Sequence, residues 1–117
     1  MDCIFCEIAQ GHIPADKVYE DEKVLAFKDI HPITPVHILV IPKEHFSSLN
    51  EMTSQDAAIF GELFNTARLL AKEFGVDKSG YRLVLNTGPD AGQTVFHIHL
   101  HLLGGRKMPF HFRESPD

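Results

Sequence analysis

Long apolar runs, basic runs and cysteines are all scarce in this chain of 117 residues, and each scarcity closes a class of function. No stretch approaches the ~20 apolar residues of a membrane-spanning helix, which argues against a membrane partner. Lysine and arginine number 11 against 16 acidic residues, for a net charge of −5. No basic stripe forms, which argues against a nucleic-acid polymer as partner. One small phosphate remains open, because it needs only a few aimed donors. The opening Met1-Asp2-Cys3 lacks the basic region and apolar run of a signal peptide, so a cytoplasmic location is expected. The two cysteines lie three residues apart, and a reducing compartment disfavours a structural disulfide there. There is no Walker-type glycine loop and no internal repeat. The length predicts a single domain over 1–117, with 106–117 as a tail of no readable period.

Between these absences the chain has clear periodicity. Ile4 to Ala9 places apolar residues at helical spacing and stops before Gly11. Lys17–Glu20 and Val24–Lys28 read as two strands joined by a polar turn. His37–Pro42 is a third, rich in branched residues and halted by proline. A turn of helix is expected within 44–50. Thr53 is a good N-cap, and Ile59, Phe60, Leu63, Phe64, Ala67, Leu70, Ala71 and Phe74 recur every three or four residues. One amphipathic helix over about 54–74 follows. Tyr81–Asn86 is a fourth strand. The expected fold is α+β: a five-stranded antiparallel sheet with one long helix on a face and a short N-terminal helix.

The fifth strand carries the chemistry. Val95 to Leu103 alternates without a break, so His97, His99 and His101 share one face, with Cα atoms roughly 6.6 Å apart. Phe96, Ile98, Leu100 and Leu102 share the opposite face and are expected to pack on the core. Three adjacent imidazoles serve packing poorly and point to a metal site or to imidazole catalysis. The preceding loop Asn86 to Thr94 offers Gly92 for close backbone approach, side-chain donors from Gln93 and Thr94, and successive N–H groups able to cup an anion. A plain turn would use the same residues. His37 opens the third strand, where a surface or core role competes with a catalytic one. Asp29 precedes a two-proline loop; its carboxylate suits a vicinal diol, or equally a cap on its own loop. Cys3-x-x-Cys6 is a metal signal in which His45 and His97 are the natural further ligands. Two plain buried thiols satisfy the same residues.

The sequence His97-Ile98-His99-Leu100-His101-Leu102-Leu103 with Gly104-Gly105-Arg106 resembles the histidine-triad (HIT) superfamily, and within it the Hint branch of nucleotide-binding phosphoramidases. Ala26–Ile30, Pro35–Lys43, Gly80–Arg82 and Gly92–Thr94 agree with it, and the likeness spans roughly residues 2–108. The resemblance implies a sheet continued across a homodimer. It implies binding of purine nucleoside monophosphates and hydrolysis of the P–N bond in their 5′-phosphoramidates, of the AMP– or GMP–lysine type, through a nucleotidyl-histidine. By motif position, His99 resembles the nucleophile and His101 the residue that helps protonate the leaving group. His97 and His37 resemble the pair that orients these imidazoles. Asp29 matches the ribose ligand. Asn86, Gly92, Gln93 and Thr94 match the phosphate contacts, and Ile4, Phe5, Ile8, Phe27, Ile30 and Leu39 match the base pocket. Catalysis requires no cofactor on this reading, and a structural zinc at Cys3, Cys6, His45 and His97 is the one metal expected. Thr94 stands where serine is usual, and the tail lacks a tryptophan-proline ending. Three other readings compete: a dinucleoside polyphosphate hydrolase of the same superfamily, a zinc hydrolase with His97, His99 and His101 as ligands, and a nucleotide-binding scaffold without turnover.

Overall fold

The computed structural model describes residues 3–109, so Met1, Asp2 and the tail from Phe110 to Asp117 lie outside the described residues. A short helix α1 (Ile4–Ala9) is followed by strands β1 (Lys17–Glu20), β2 (Val24–Lys28) and β3 (Val36–Pro42), the long helix α2 (Ala57–Glu73), and strands β4 (Tyr81–Leu85) and β5 (Leu100–Gly104). Three further single turns are 3₁₀: 49–51, 54–56 and 89–91. The strands form one sheet in the order β1-β2-β3-β5-β4, with every neighbouring pair antiparallel.

Local chemistry explains the joints. The Asp21 carboxylate accepts the N–H groups of Lys23 and Val24 at 2.7 and 2.8 Å, which closes the β1–β2 turn. Thr53 and Asp56 form the reciprocal cap at the start of the long helical segment. Residues 54–56 tighten to 3₁₀, so α2 begins at Ala57, later than the sequence period suggested.

Apart from His37, β3 is apolar because both faces of the sheet are covered. Ile38 and Val40 face α2 and join Leu63, Ala67, Leu70, Ala71, Leu100 and Leu102 in one core. Leu39 and Ile41 face the other way and join Phe5 and Ile8 of α1, with Leu25 and Phe27, in a second. The short helix thus covers the face opposite α2.

The expected fifth strand is shorter than its alternation suggested. Pairing with β3 runs from Val36↔Gly104 to Val40↔Leu100 and stops there. The next pair would be Ile41↔His99 and the one after it Pro42↔Ile98, where proline has no N–H to extend the ladder. Residues 95–99 are therefore irregular, tied by one backbone bond from Ile98 N–H to the Phe46 carbonyl at 2.8 Å. Phe96 falls in this irregular stretch and is 49% exposed, not in the core where alternation placed it. At the other end, Gly104 leaves room for a close neighbour: a Cβ there would sit 3.0 Å from the Val76 side chain.

Candidate active site

The alternation correctly places the three imidazoles opposite the α2 core, but they do not act as one row. The Nε2 of His97, which is fully buried, donates to the Pro42 carbonyl at 2.8 Å, because a carbonyl can only accept. Its Nδ1 then carries the lone pair. That lone pair faces Cys3 Sγ at 3.3 Å, Cys6 Sγ at 3.6 Å and His45 Nδ1 at 3.2 Å. The proline that ends β3 thus supplies the acceptor that fixes this ring.

His99 Nδ1–H donates to the main-chain carbonyl of His97 at 2.8 Å. Its Nε2 is left with a free lone pair, the form of imidazole that attacks an electrophile. Phe5 of α1 meets the His99 ring edge-on at 5.1 Å between centroids. His101 is set by a longer chain. The Ile33 N–H donates to His37 Nδ1 at 3.2 Å, so His37 carries its proton on Nε2. That proton goes to His101 Nδ1 at 3.0 Å, and a neutral His101 then carries its own proton on Nε2. The His99 and His101 rings meet edge-on with centroids 5.0 Å apart. Two adjacent imidazoles therefore hold opposite tautomers, one an acceptor and the other a donor.

Burial keeps these rings neutral. Burial pushes the His99 pKa below its ordinary value, against the bond to the His97 carbonyl and the Asp29 charge. His101 is pushed down to about 4, chiefly by burial and then by the charges that His99 and His37 would carry. His37 is lowered by burial while Asp29 opposes the shift. Asp29 lies beside this relay: Oδ1 accepts the His31 N–H at 2.8 Å and Oδ2 lies 3.4 Å from His37 Nε2. The capping reading of Asp29 is thus realised, and its second oxygen still borders the imidazoles.

The loop before the triad differs from the open cup expected. Gly92 is left-handed at φ 95°, as its sequence role required. The N–H groups of Gly92 and Gln93, however, are bonded within the loop to the carbonyls of Pro89 and Gly88. The buried Gln93 amide donates to the carbonyls of Ser47 and Val95 and accepts the Gly88 N–H. Gln93 therefore braces the loop. Thr94 is exposed and Asn86 half-buried, which leaves their side chains as the loop's outward donors. Of the apolar set, Phe5, Ile8, Phe27 and Leu39 pack together beside His99, while Ile4 and Ile30 are exposed, Ile30 at 84%.

Cys3, Cys6, His45 and His97 bring one ligand atom each within 4.8 Å of one another. Zinc bonds of about 2.3 Å to sulfur and about 2.0 Å to nitrogen, at tetrahedral angles, separate donors by roughly 3.3–3.8 Å. The observed edges of 3.2, 3.3, 3.3 and 3.6 Å fit that figure. The Cys6 N–H donates to Cys3 Sγ at 3.3 Å. Without a cation the Cys6 thiol is pushed up to about 11, by burial first and then by Cys3. The His97–His99–His101 metal site is corrected by the same bonds: carbonyls take His97 Nε2 and His99 Nδ1, and His97 Nδ1 turns to the cysteines. The groups that set the tautomers, namely the carbonyls of Pro42 and His97 and the Ile33 N–H, are main-chain atoms with no residue-type signal. Only the halting proline hinted at one of them.

An antiparallel sheet here presents one acceptor and one donor imidazole beside a buried apolar cluster, an arrangement chemically able to accept a group onto nitrogen. The comparisons agree with the motif. Residues 10–108 match the HIT domain, and the chain belongs to the HIT family. An uncharacterized HIT-like protein of Synechococcus elongatus is 51% identical over 107 residues, covering 92% of this chain and 93% of that one. A 14 kDa zinc-binding protein of Brassica juncea is 50% identical over 109 residues, covering 92% and 96%. The crystal structure of a HIT family hydrolase from Legionella pneumophila superposes with a TM-score of 0.92 at 48% identity, covering 93% and 97%.

Proposed function

We propose that this chain is a hydrolase of the Hint branch that binds purine nucleoside monophosphates and cleaves the P–N bond of their 5′-phosphoramidates. The observation that carries the reading is the pair of opposed tautomers, His99 with a free Nε2 and His101 with a proton on Nε2. His99 Nε2 attacks phosphorus and a P–N bond to the ring forms. The bond to the substrate amine breaks; the amine nitrogen, hydrogen-bonded to His101 Nε2–H, takes its proton from solvent and leaves neutral. Water then attacks phosphorus in the nucleotidyl-His99 imidazolium and loses a proton to solvent, His99 Nε2 leaves as a neutral imidazole, and the nucleoside monophosphate is released. An uncharged nucleophile avoids repulsion from the phosphate, and no metal takes part in these steps.

Asp29 takes the ribose hydroxyls, and Asn86, Gly92 and Thr94 border the phosphate, with Gln93 holding their loop. Phe5, Ile8, Phe27 and Leu39 wall the base, and Ile30 lies at its rim. Cys3, Cys6, His45 and His97 hold a structural zinc, in keeping with their fit to a tetrahedron and with the name of the Brassica relative. The active form is a homodimer built on a single domain over 1–117, with 106–117 as its tail. A cytoplasmic location accords with a Cys3 and Cys6 pair that is not joined as a disulfide. Phosphorus NMR of the protein with adenosine 5′-phosphoramidate of lysine tests the reading: AMP and free lysine should appear. Turnover of a diadenosine polyphosphate with the phosphoramidate left intact would replace it with the neighbouring polyphosphate hydrolase.

A further inference from the structure

His97 contributes to both halves of the molecule's chemistry, and its two contributions meet in one residue. Its side chain belongs to the Cys3–Cys6–His45 cluster, and its main-chain carbonyl is the acceptor that fixes the His99 tautomer. What holds that carbonyl in place is not the sheet. Residues 95–99 lie outside β5; among the described residues their main chain is tied by the Ile98-to-Phe46 backbone bond and, at Val95, by the Gln93 amide. The His97 ring is instead pinned at Nε2 by the Pro42 carbonyl, with Nδ1 facing three donors at 3.2–3.6 Å.

We propose that His97 is a positioning residue through which a metal ion at Cys3, Cys6, His45 and His97 sets the tautomer and aim of the nucleophile His99. This deepens the zinc assignment above and rests on it. A cation at Nδ1 fixes both nitrogens of the His97 ring, so the ring cannot turn about its bond to the backbone. The carbonyl at 97 is then held where it takes the His99 Nδ1–H, and Nε2 remains free. When the donor set is broken, the ring keeps only its bond to Pro42. The irregular segment relaxes, and the proton of His99 can exchange between its two nitrogens. His101 is insulated from this because its tautomer comes from Ile33 through His37. The site therefore makes nucleophile alignment depend on metal occupancy.

The test uses full-length protein with nitrogen-15 histidine and records long-range ring correlations, which report the protonated nitrogen of each imidazole. Zinc-loaded wild type should show His99 wholly as the Nδ1–H tautomer. In Cys6→Ser, freed of zinc, the His99 signals should shift toward a mixture of tautomers while those of His37 and His101 stay. Its kcat on the phosphoramidate should fall about 10- to 100-fold, the scale for loss of a group that orients a ligand or catalytic residue. Wild type loaded with cadmium is the second measurement, because it does not depend on that variant folding. The larger ion keeps the four donors but displaces the His97 ring, so the His99 ring signals should move and those of His37 should not. Identical His99 signals with zinc and cadmium, or a failure of the wild type to retain either ion, would overturn the proposal. The ring signals need no turnover, so a protein that leaves phosphoramidates intact would still support the coupling if His99 follows the metal.

Discussion

Which nitrogen of an imidazole carries the proton decides what that imidazole can do, and here the answer is set one bond away in the main chain. Low pKa values keep the arrangement intact over a wide range. His101 falls from 6.5 to about 4, with His99, His37 and Asp29 as the titratable groups facing it. Its neutral donor form should persist well into acid, so kcat/KM for a phosphoramidate should stay flat from neutrality down to about pH 5. A steep loss with a midpoint near the ordinary histidine value would contradict this. The stability sign follows from the same shift. The unfolded chain binds this proton more readily than the folded one between 6.5 and about 4, so stability declines as pH falls through that window. The identities of the triad, Asp29 and the Cys3/Cys6 pair were legible in the sequence because they depend on residue type and spacing. The carbonyls of His97 and Pro42 were not, because any residue offers a carbonyl and only the fold aims it. The choice between a cup and a plain turn over 86–94 was not legible for a related reason: which N–H groups turn inward depends on Gln93 reaching Ser47, 46 residues away in sequence.

At the scale of elements, apolar period located both helices and four strands to within a few residues, since each element buries one or two whole faces. It overextended β5. Alternation reports which way side chains point, and it continues through His97 and His99 after the ladder has ended. Ladder length depends on the partner, and Pro42 sits on that partner. At its other end β5 crosses Val76 without clearance. Gly104→Ala should lower unfolding free energy by about 1–3 kcal/mol in urea titrations, the usual range for overpacking. Val76→Ala in the same background should restore much of it. Strictly additive losses would show that the two sites do not share this contact.

For the whole molecule, strand order was beyond the reach of periodicity, which carries no record of which strands pair. The exposed surface carries a further expectation. β4 is an edge strand, and next to it Phe64, Asn65, Arg68, Tyr81 and Leu83 line a shallow cleft of about 360 Å³. Phe64 and Leu69 stand nearly half-exposed on α2. An edge with free backbone groups beside large apolar side chains is a pairing surface, and a two-fold copy would continue the sheet. Light scattering should give a dimer for the wild type at micromolar concentration and a monomer for Phe64→Glu. A wild-type monomer would remove the dimer from the account.

The central claim is that His99 becomes covalently bonded to phosphorus. Rapid-quench mass spectrometry of the wild type with an adenosine phosphoramidate measures this directly. A transient gain of one adenylyl group, mapped to His99 and absent from His99→Ala, is the predicted result, with turnover of that variant lower by on the order of 10³ or more. Inversion at a chiral phosphorus with no adduct at any time would mean that water attacks directly, and would contradict the account.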